Sequence, residues 1–213
     1  MLISTLLLTL VVDSATSPAI RVCGIDASAS VRSVEKLQQH CAQVVRRARP
    51  GDVVIVRWIT DSSFRSSDEI LAVRLPKSTA SCNNPYDARC RREAQRGARR
   101  LAEVRDSAAR VVSAAVARTA RRTDIVGFFA AAAAKLAELS EIRSRFVYVT
   151  GDLQDTAGQR SNVDLGGAQV VFVGLESNGD INASVSNRKS WVSRLRGWKA
   201  GVVRTCVLVD EEC

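Results

Sequence analysis

Short apolar blocks alternate along this chain with longer stretches of helical apolar spacing, and the two periods take turns from residue 20 onward. Residues 20–25 form a compact apolar run that predicts a buried strand. Residues 31–48 follow with Val34, Leu37, Cys41, Val44, Val45 and Ala48 on one stripe, a helix that Pro50-Gly51 ends. Residues 52–60 contain Val-Val-Ile-Val, apolar on both faces as a central parallel strand requires. A short edge strand is expected at 70–75, then a loop through Pro85. Residues 86–121 lack Pro and are rich in Ala and Arg, so they predict one long helix with a weak point at Gly97. A second Ala-rich helix is expected at 127–139, Val- and Phe-rich strands at 146–150 and 169–175, an amphipathic helix at 187–199, and a closing strand at 202–209. Trp191, Leu195 and Trp198 share one face of that last helix, which reads as core. Strands alternating with helices predict a three-layer, doubly wound α/β domain whose mostly parallel sheet has about six strands.

Length adds one constraint: 213 residues suit a single domain with a real core. Aromatics make up only 5%, so that core must be built from Val, Ile, Leu and Ala. The body carries no apolar run long enough to span a bilayer. Residues 2–12 are almost wholly apolar, the length of a signal-peptide core, and Ser17 and Ala19 are small residues where a peptidase reads them. Residues 1–19 therefore read as a signal peptide and 20–213 as the domain, exported to the periplasm or beyond; if the segment instead packs on the domain, the protein is cytoplasmic. Six cysteines without a Cys-x-x-Cys pair, and a single His, argue for disulfides over zinc. Cys82 with Cys90, Cys206 with Cys213, and Cys23 with Cys41 are reasonable pairs in an oxidising compartment. His40 reads as an exposed or capping residue.

Charge is concentrated. Between Arg89 and Arg122 eleven arginines face three acidic residues, so eight of the nine formal positive charges lie there. A basic helix of this kind could meet an acidic partner or an anionic surface. It carries no interleaved aromatics and no nucleic-acid motif, so nucleic acid is not the expected partner.

The chemistry is written at strand ends. Gly-Ile-Asp26-Ala-Ser28-Ala-Ser30 follows the first strand, Thr123-Asp124 precedes an Ala-rich helix, and Thr150-Gly151-Asp152 closes the strand at 146–150. Open α/β sheets bind ligands at the carboxyl ends of their strands. One carboxylate and two hydroxyls in alternation supply hard oxygen donors that suit Mg²⁺ or Mn²⁺. The alternative is that Ser28 and Ser30 only cap the next helix.

In this order, the three segments resemble the von Willebrand factor A (VWA) family and its metal-ion-dependent adhesion site. The resemblance runs from about residue 20 to 209. It implies a Rossmann-like fold and a metal site made by Asp26, Ser28, Ser30, Thr123 and Asp152, where a protein partner presents an acidic side chain to Mg²⁺. The family more often writes Asp-Gly where this chain has Gly151-Asp152. Asp155 is the alternative carboxylate on that loop, and Asp124 reads as a helix cap. Asp61 reads as a turn residue near the rim. An enzyme is the less favoured reading: Gly151-Asp152 and Asp155 superficially resemble the metal motif of haloacid-dehalogenase-like phosphohydrolases. Asp26 would then stand as their aspartyl nucleophile, but those enzymes need a second Asp two residues after it, where this chain has Ser28. No Gly-x-Ser-x-Gly elbow supports a serine nucleophile. The expectation is a non-enzymatic, metal-dependent interaction module.

Overall fold

The computed structural model describes residues 17–31, 33–77, 86–157, 162–174 and 181–206, with backbone alone at 181–185. Six strands form one sheet in the order β3-β2-β1-β4-β5-β6. β1 (Ala19–Asp26), β2 (Val53–Ile59), β4 (Ser144–Thr150), β5 (Gln169–Val173) and β6 (Val203–Cys206) run parallel. β3 (Glu69–Arg74) pairs antiparallel with β2 at one edge. Its connection, which includes a 3₁₀ turn at Ser66–Asp68, is too short for a crossover helix.

Side chains alternate across the sheet and divide the core in two. On one face α1 (Val34–Arg47) and α2 (Ala88–Ala114) cover Cys23, Ile25, Val54, Val56 and Trp58. On the other, α3 (Ile125–Glu138) and α4 (Ile181–Gly197) cover Ile20, Val22, Val147, Val149, Val170 and Phe172. β2 is buried at every position, as its unbroken apolar sequence requires. Gly24 lets α3 come down onto β1, because a Cβ there would lie 2.6 Å from the Phe128 ring. Trp191 and Leu195 of α4 and Trp198, just past its end, are all buried, packed with Phe129 and Phe172.

At the amino end of the sheet the fully buried Asp52 carboxylate accepts from Ala19 N–H (2.7 Å), Arg21 Nε (2.8 Å) and Arg49 N–H (2.8 Å). Cys23 and Cys41 form a disulfide that ties β1 to α1. Cys90 and Cys206 are disulfide-bonded too, while their expected partners Cys82 and Cys213 lie outside the described residues. So do most of the expected signal segment and residues 207–209 of the last strand. Among the described residues no helix is long and apolar enough to cross a membrane.

Three expectations need correction. The Arg-rich helix was expected to reach residue 121, but α2 ends at Ala114. The chain then runs extended, and Ala120 pairs with Ser28 as a parallel bridge. Helix propensity favoured continuation, and strand-like pairing with the β1–α1 loop overrode it. α4 starts at Ile181 rather than 187, because Asn182, Ser184, Ser186 and Asn187 weaken the helical signal in the sequence. His40 is neither exposed nor capping: it stands inside α1, half-buried against the Tyr148 ring at 6.4 Å between centroids. Burial, with Arg47 adding to it, pushes its pKa below the usual histidine value.

Candidate metal centre

Asp26 is the last residue of β1, at the carboxyl end of the sheet, and only 1% of it is exposed. Its Oδ1 accepts the Ser28 N–H at 2.9 Å. Its Oδ2 is buried and has no hydrogen-bond partner. Burial raises the carboxyl pKa from 3.8 to about 6; bonding to Ser28 opposes that rise and the nearby charge of Asp152 adds to it. The alternating motif turns sharply, with Val31 N–H on Ser28 O at 3.1 Å. The turn brings the Ser28 and Ser30 hydroxyls to 3.0 Å of each other. Ser28 is buried and Ser30 exposed, so the pair runs from the carboxylate toward solvent.

β4 brings the second carboxylate. Gly151 has φ +150°, and a Cβ there would lie 2.5 Å from Asp26 Cβ and 2.6 Å from its Oδ2. Position 151 therefore admits no side chain, which is a steric reason for the order Gly151-Asp152. Asp152 is partly exposed, and its Oδ1 accepts the Gln154 N–H at 3.0 Å. Asp155 is engaged elsewhere. Its carboxylate lies 3.7 Å from Arg194 of α4. Burial and the Asp124 charge raise its pKa, while Arg194 and the Ile125 and Ala157 amides hold it down.

Thr123 is buried, and the loop after β4 clasps its backbone. Its N–H donates to Thr156 Oγ1 at 2.8 Å, and its carbonyl accepts from Thr156 N–H (3.0 Å) and Ala157 N–H (3.2 Å). Asp124 is the α3 cap, with Oδ1 on Gly127 N–H at 2.7 Å and Oδ2 on Ser63 N–H at 3.2 Å. The structure thus links Asp26, Ser28 and Ser30 through direct hydrogen bonds, and Asp152 stands near enough for its charge to raise the Asp26 pKa. It places Thr123 on the adjoining loop, fastened to Thr156. Thr156 is not legible in the sequence, and Gly151 is legible there only as a reversed Asp-Gly order. A clasp made through backbone groups leaves no residue pattern, whereas a glycine at a strand end was a visible signal.

No family model matches this sequence, and no curated protein does. Among solved structures, a von Willebrand factor type A protein from Catenulispora acidiphila matches with a TM-score of 0.52 at 14% identity. The match covers 91% of this chain and 39% of the solved one. The fold is that of a von Willebrand factor A domain. At this identity the likeness speaks for the VWA fold alone, and what the site can hold is a matter of its own donors.

Those donors suit a small, hard cation. Among the described residues no group of three or more His, Cys, Asp or Glu could hold a metal, so any ion here relies on hydroxyls beside two carboxylates. A buried carboxylate oxygen without a partner is costly. Asp26 Oδ2 is such an oxygen, at the convergence of the Ser28–Ser30 turn and the Asp152 loop of this VWA fold. Oxygen donors of this type fit Mg²⁺ or Mn²⁺ better than a softer metal.

Proposed function

We propose that this VWA-fold domain is a metal-dependent protein-binding module, exported from the cytoplasm, that performs no chemistry on its partner. The observation that carries the reading is the buried, unpaired Oδ2 of Asp26 beside two serine hydroxyls and a second carboxylate. Asp26, Ser28 and Ser30 would hold Mg²⁺, with Mn²⁺ able to replace it, and Thr123 and Asp152 would complete the set. When bound, the ion would offer an open position to a carboxylate of the partner. The chain's own work is positional. Ser28 N–H fixes one oxygen of Asp26 and leaves the other clear, and Gly151 keeps the space above Asp26 free of a side chain.

Calorimetric titration of the disulfide-intact protein with Mg²⁺ tests this reading. Binding in the wild type that disappears in Asp26→Ala is expected; equal affinity in both ends the metal reading. A metal-dependent phosphatase activity abolished by Asp26→Ala would move the domain to the enzyme class. Export draws support from the Cys23–Cys41 bond and the disulfide-bonded Cys90 and Cys206. Intact mass of the exported protein should lack the first ~19 residues. A full-length product with free thiols, recovered from cytoplasm, would overturn export.

A further inference from the structure

The end of α2 at Ala114 moves part of the charge. Arg118, Arg121 and Arg122 are not on the helix but on the loop that runs beside the Asp26 turn. Ala120, in their midst, donates to Ala27 O at 3.2 Å and accepts from Ala29 N–H at 3.3 Å. The loop after β2 joins them, with Asp124 N–H on Thr60 O at 2.7 Å and Ser63 N–H on Asp124. That loop adds the exposed Arg65.

Four arginines thus stand on the two loops beside the turn, against three carboxylates on the same loops, of which Asp124 is buried on the Gly127 and Ser63 amides. Asp68 is buried, 3.5 Å from Arg118, and also feels Arg57 and Arg65. Asp61 is exposed. Arg121 and Arg122 are exposed and have no ion-pair partner among the described residues. A divalent ion would offset Asp26 and Asp152 and leave the surplus positive charge around it uncompensated. The same two loops carry large apolar side chains in solvent, Phe64 at 62% exposure and Val116 at 87%.

We infer that the partner's contact segment is an acidic cluster carrying one apolar side chain. One carboxylate goes to the metal, further carboxylates pair with Arg121 and Arg122, and the apolar side chain rests on Phe64 and Val116. The central carboxylate rests on the metal reading above; the collar rests on the exposed Arg121 and Arg122, which have no ion-pair partner among the described residues with or without the ion. Arginine favours this role because its planar fork pairs bidentately with carboxylates. A charged rim of this kind sets partner choice and encounter rate.

The test uses the full, disulfide-intact chain with Mg²⁺ at low salt, and fluorescence anisotropy of two labelled peptides. One contains Asp-Asp-Leu-Asp; the other keeps a single Asp, with Asn at the remaining acidic positions. The triply acidic peptide should bind at least about tenfold tighter, and Arg121→Glu with Arg122→Glu should remove at least about tenfold of its affinity. Arg92→Glu with Arg96→Glu, on α2, should change it less than about threefold. If charge reversal disturbs folding, as read by thermal melting, Arg121→Gln with Arg122→Gln should still show a loss in the same direction. Equal binding of the two peptides, no binding of either, or equal loss from the α2 reversal would overturn the collar. So would phosphatidylglycerol vesicles or single-stranded DNA binding through Arg121 and Arg122 while the peptide does not. Peptide binding that survives EDTA but fails in the Arg121/Arg122 variant would keep the collar and discard the metal.

Discussion

Asp26 carries a desolvation cost at the site, with one carboxylate oxygen buried and unpartnered. Its folded pKa of about 6 lies above the unfolded value of 3.8, so in the metal-free protein the ionised form is the destabilised one. Sign follows from proton uptake. The folded state holds more protons than the unfolded state between those values, so this residue's contribution to stability falls as pH rises through that window. Asp26→Asn removes the ionisation. In EDTA at pH 7 the variant should be more stable than wild type by up to about 3 kcal/mol, the shift of roughly two units at 1.36 kcal/mol each. The gap should close as pH falls toward about 4, where the wild-type carboxyl is neutral too. Denaturant unfolding across that range measures it, and a gap that ignores pH would show that Asp26 is not held in a desolvated, ionised state. Gly151 is the neighbouring constraint. Gly151→Ala forces a Cβ against Asp26 and should cost about 1–3 kcal/mol in the same assay. No loss would mean that the loop after β4 yields freely.

Among elements, β1 and α1 form the frame on which the Asp26 turn is strung. The Cys23–Cys41 bond closes that frame around Ser28 and Ser30 at a sequence separation of 18. A closed loop of this length contributes about 3 kcal/mol in the chain-entropy account. Replacing both cysteines with Ala should lower stability by about that amount and weaken Mg²⁺ binding, since the serine turn gains freedom. Chemical denaturation and titration of the same variant check both halves; a stability loss without loss of affinity would show that the turn is ordered by its own hydrogen bonds. On the opposite side of the site, α4 holds the β4 loop through Trp191 Nε1 on Leu153 O at 2.9 Å and through Arg194 near Asp155. The middle loop has no regular structure, and its shape is borrowed from β1, β2 and the β4 loop at once.

Across the whole molecule the two ends of the sheet serve different purposes. The amino end is closed by Asp52 with Arg21 and two backbone amides, a buried network without unpaired groups on that carboxylate. The carboxyl end keeps an unsatisfied carboxylate oxygen and exposed apolar and cationic side chains. β1, eight residues long, separates them by about 25 Å at strand rise. Asp52→Ala leaves Arg21 and the Ala19 and Arg49 amides without their acceptor, and should cost about 3–5 kcal/mol. At that separation it should leave the Mg²⁺ affinity of the folded protein unchanged, because distant sites add independently. Paired unfolding and titration of Asp52→Ala check this, and a coupled loss of affinity would mean that the sheet transmits strain between its ends.

Periodicity alone revealed all six strands in order, the helices between them, and Asp26, Ser28, Ser30 and Asp152 at strand ends. Local apolar spacing suffices because a central parallel strand must be apolar on both faces and a covering helix on one. The Cys23–Cys41 pair was legible for the same reason, since a strand and its following helix are neighbours in any such sheet. Contacts between loops were another matter. Helix propensity ran on past Ala114, and only the pairing of Ala120 with the Asp26 turn ended it. That pairing placed Arg118, Arg121 and Arg122 beside the candidate metal centre instead of along a solvated helix. The clasp of Thr123 by Thr156, the closed space at Gly151 and the unpaired oxygen of Asp26 likewise depend on segments far apart in sequence meeting through backbone groups. Backbone amides and carbonyls are the same in every residue, so their meetings leave no trace in composition or spacing, and the fold alone decides them.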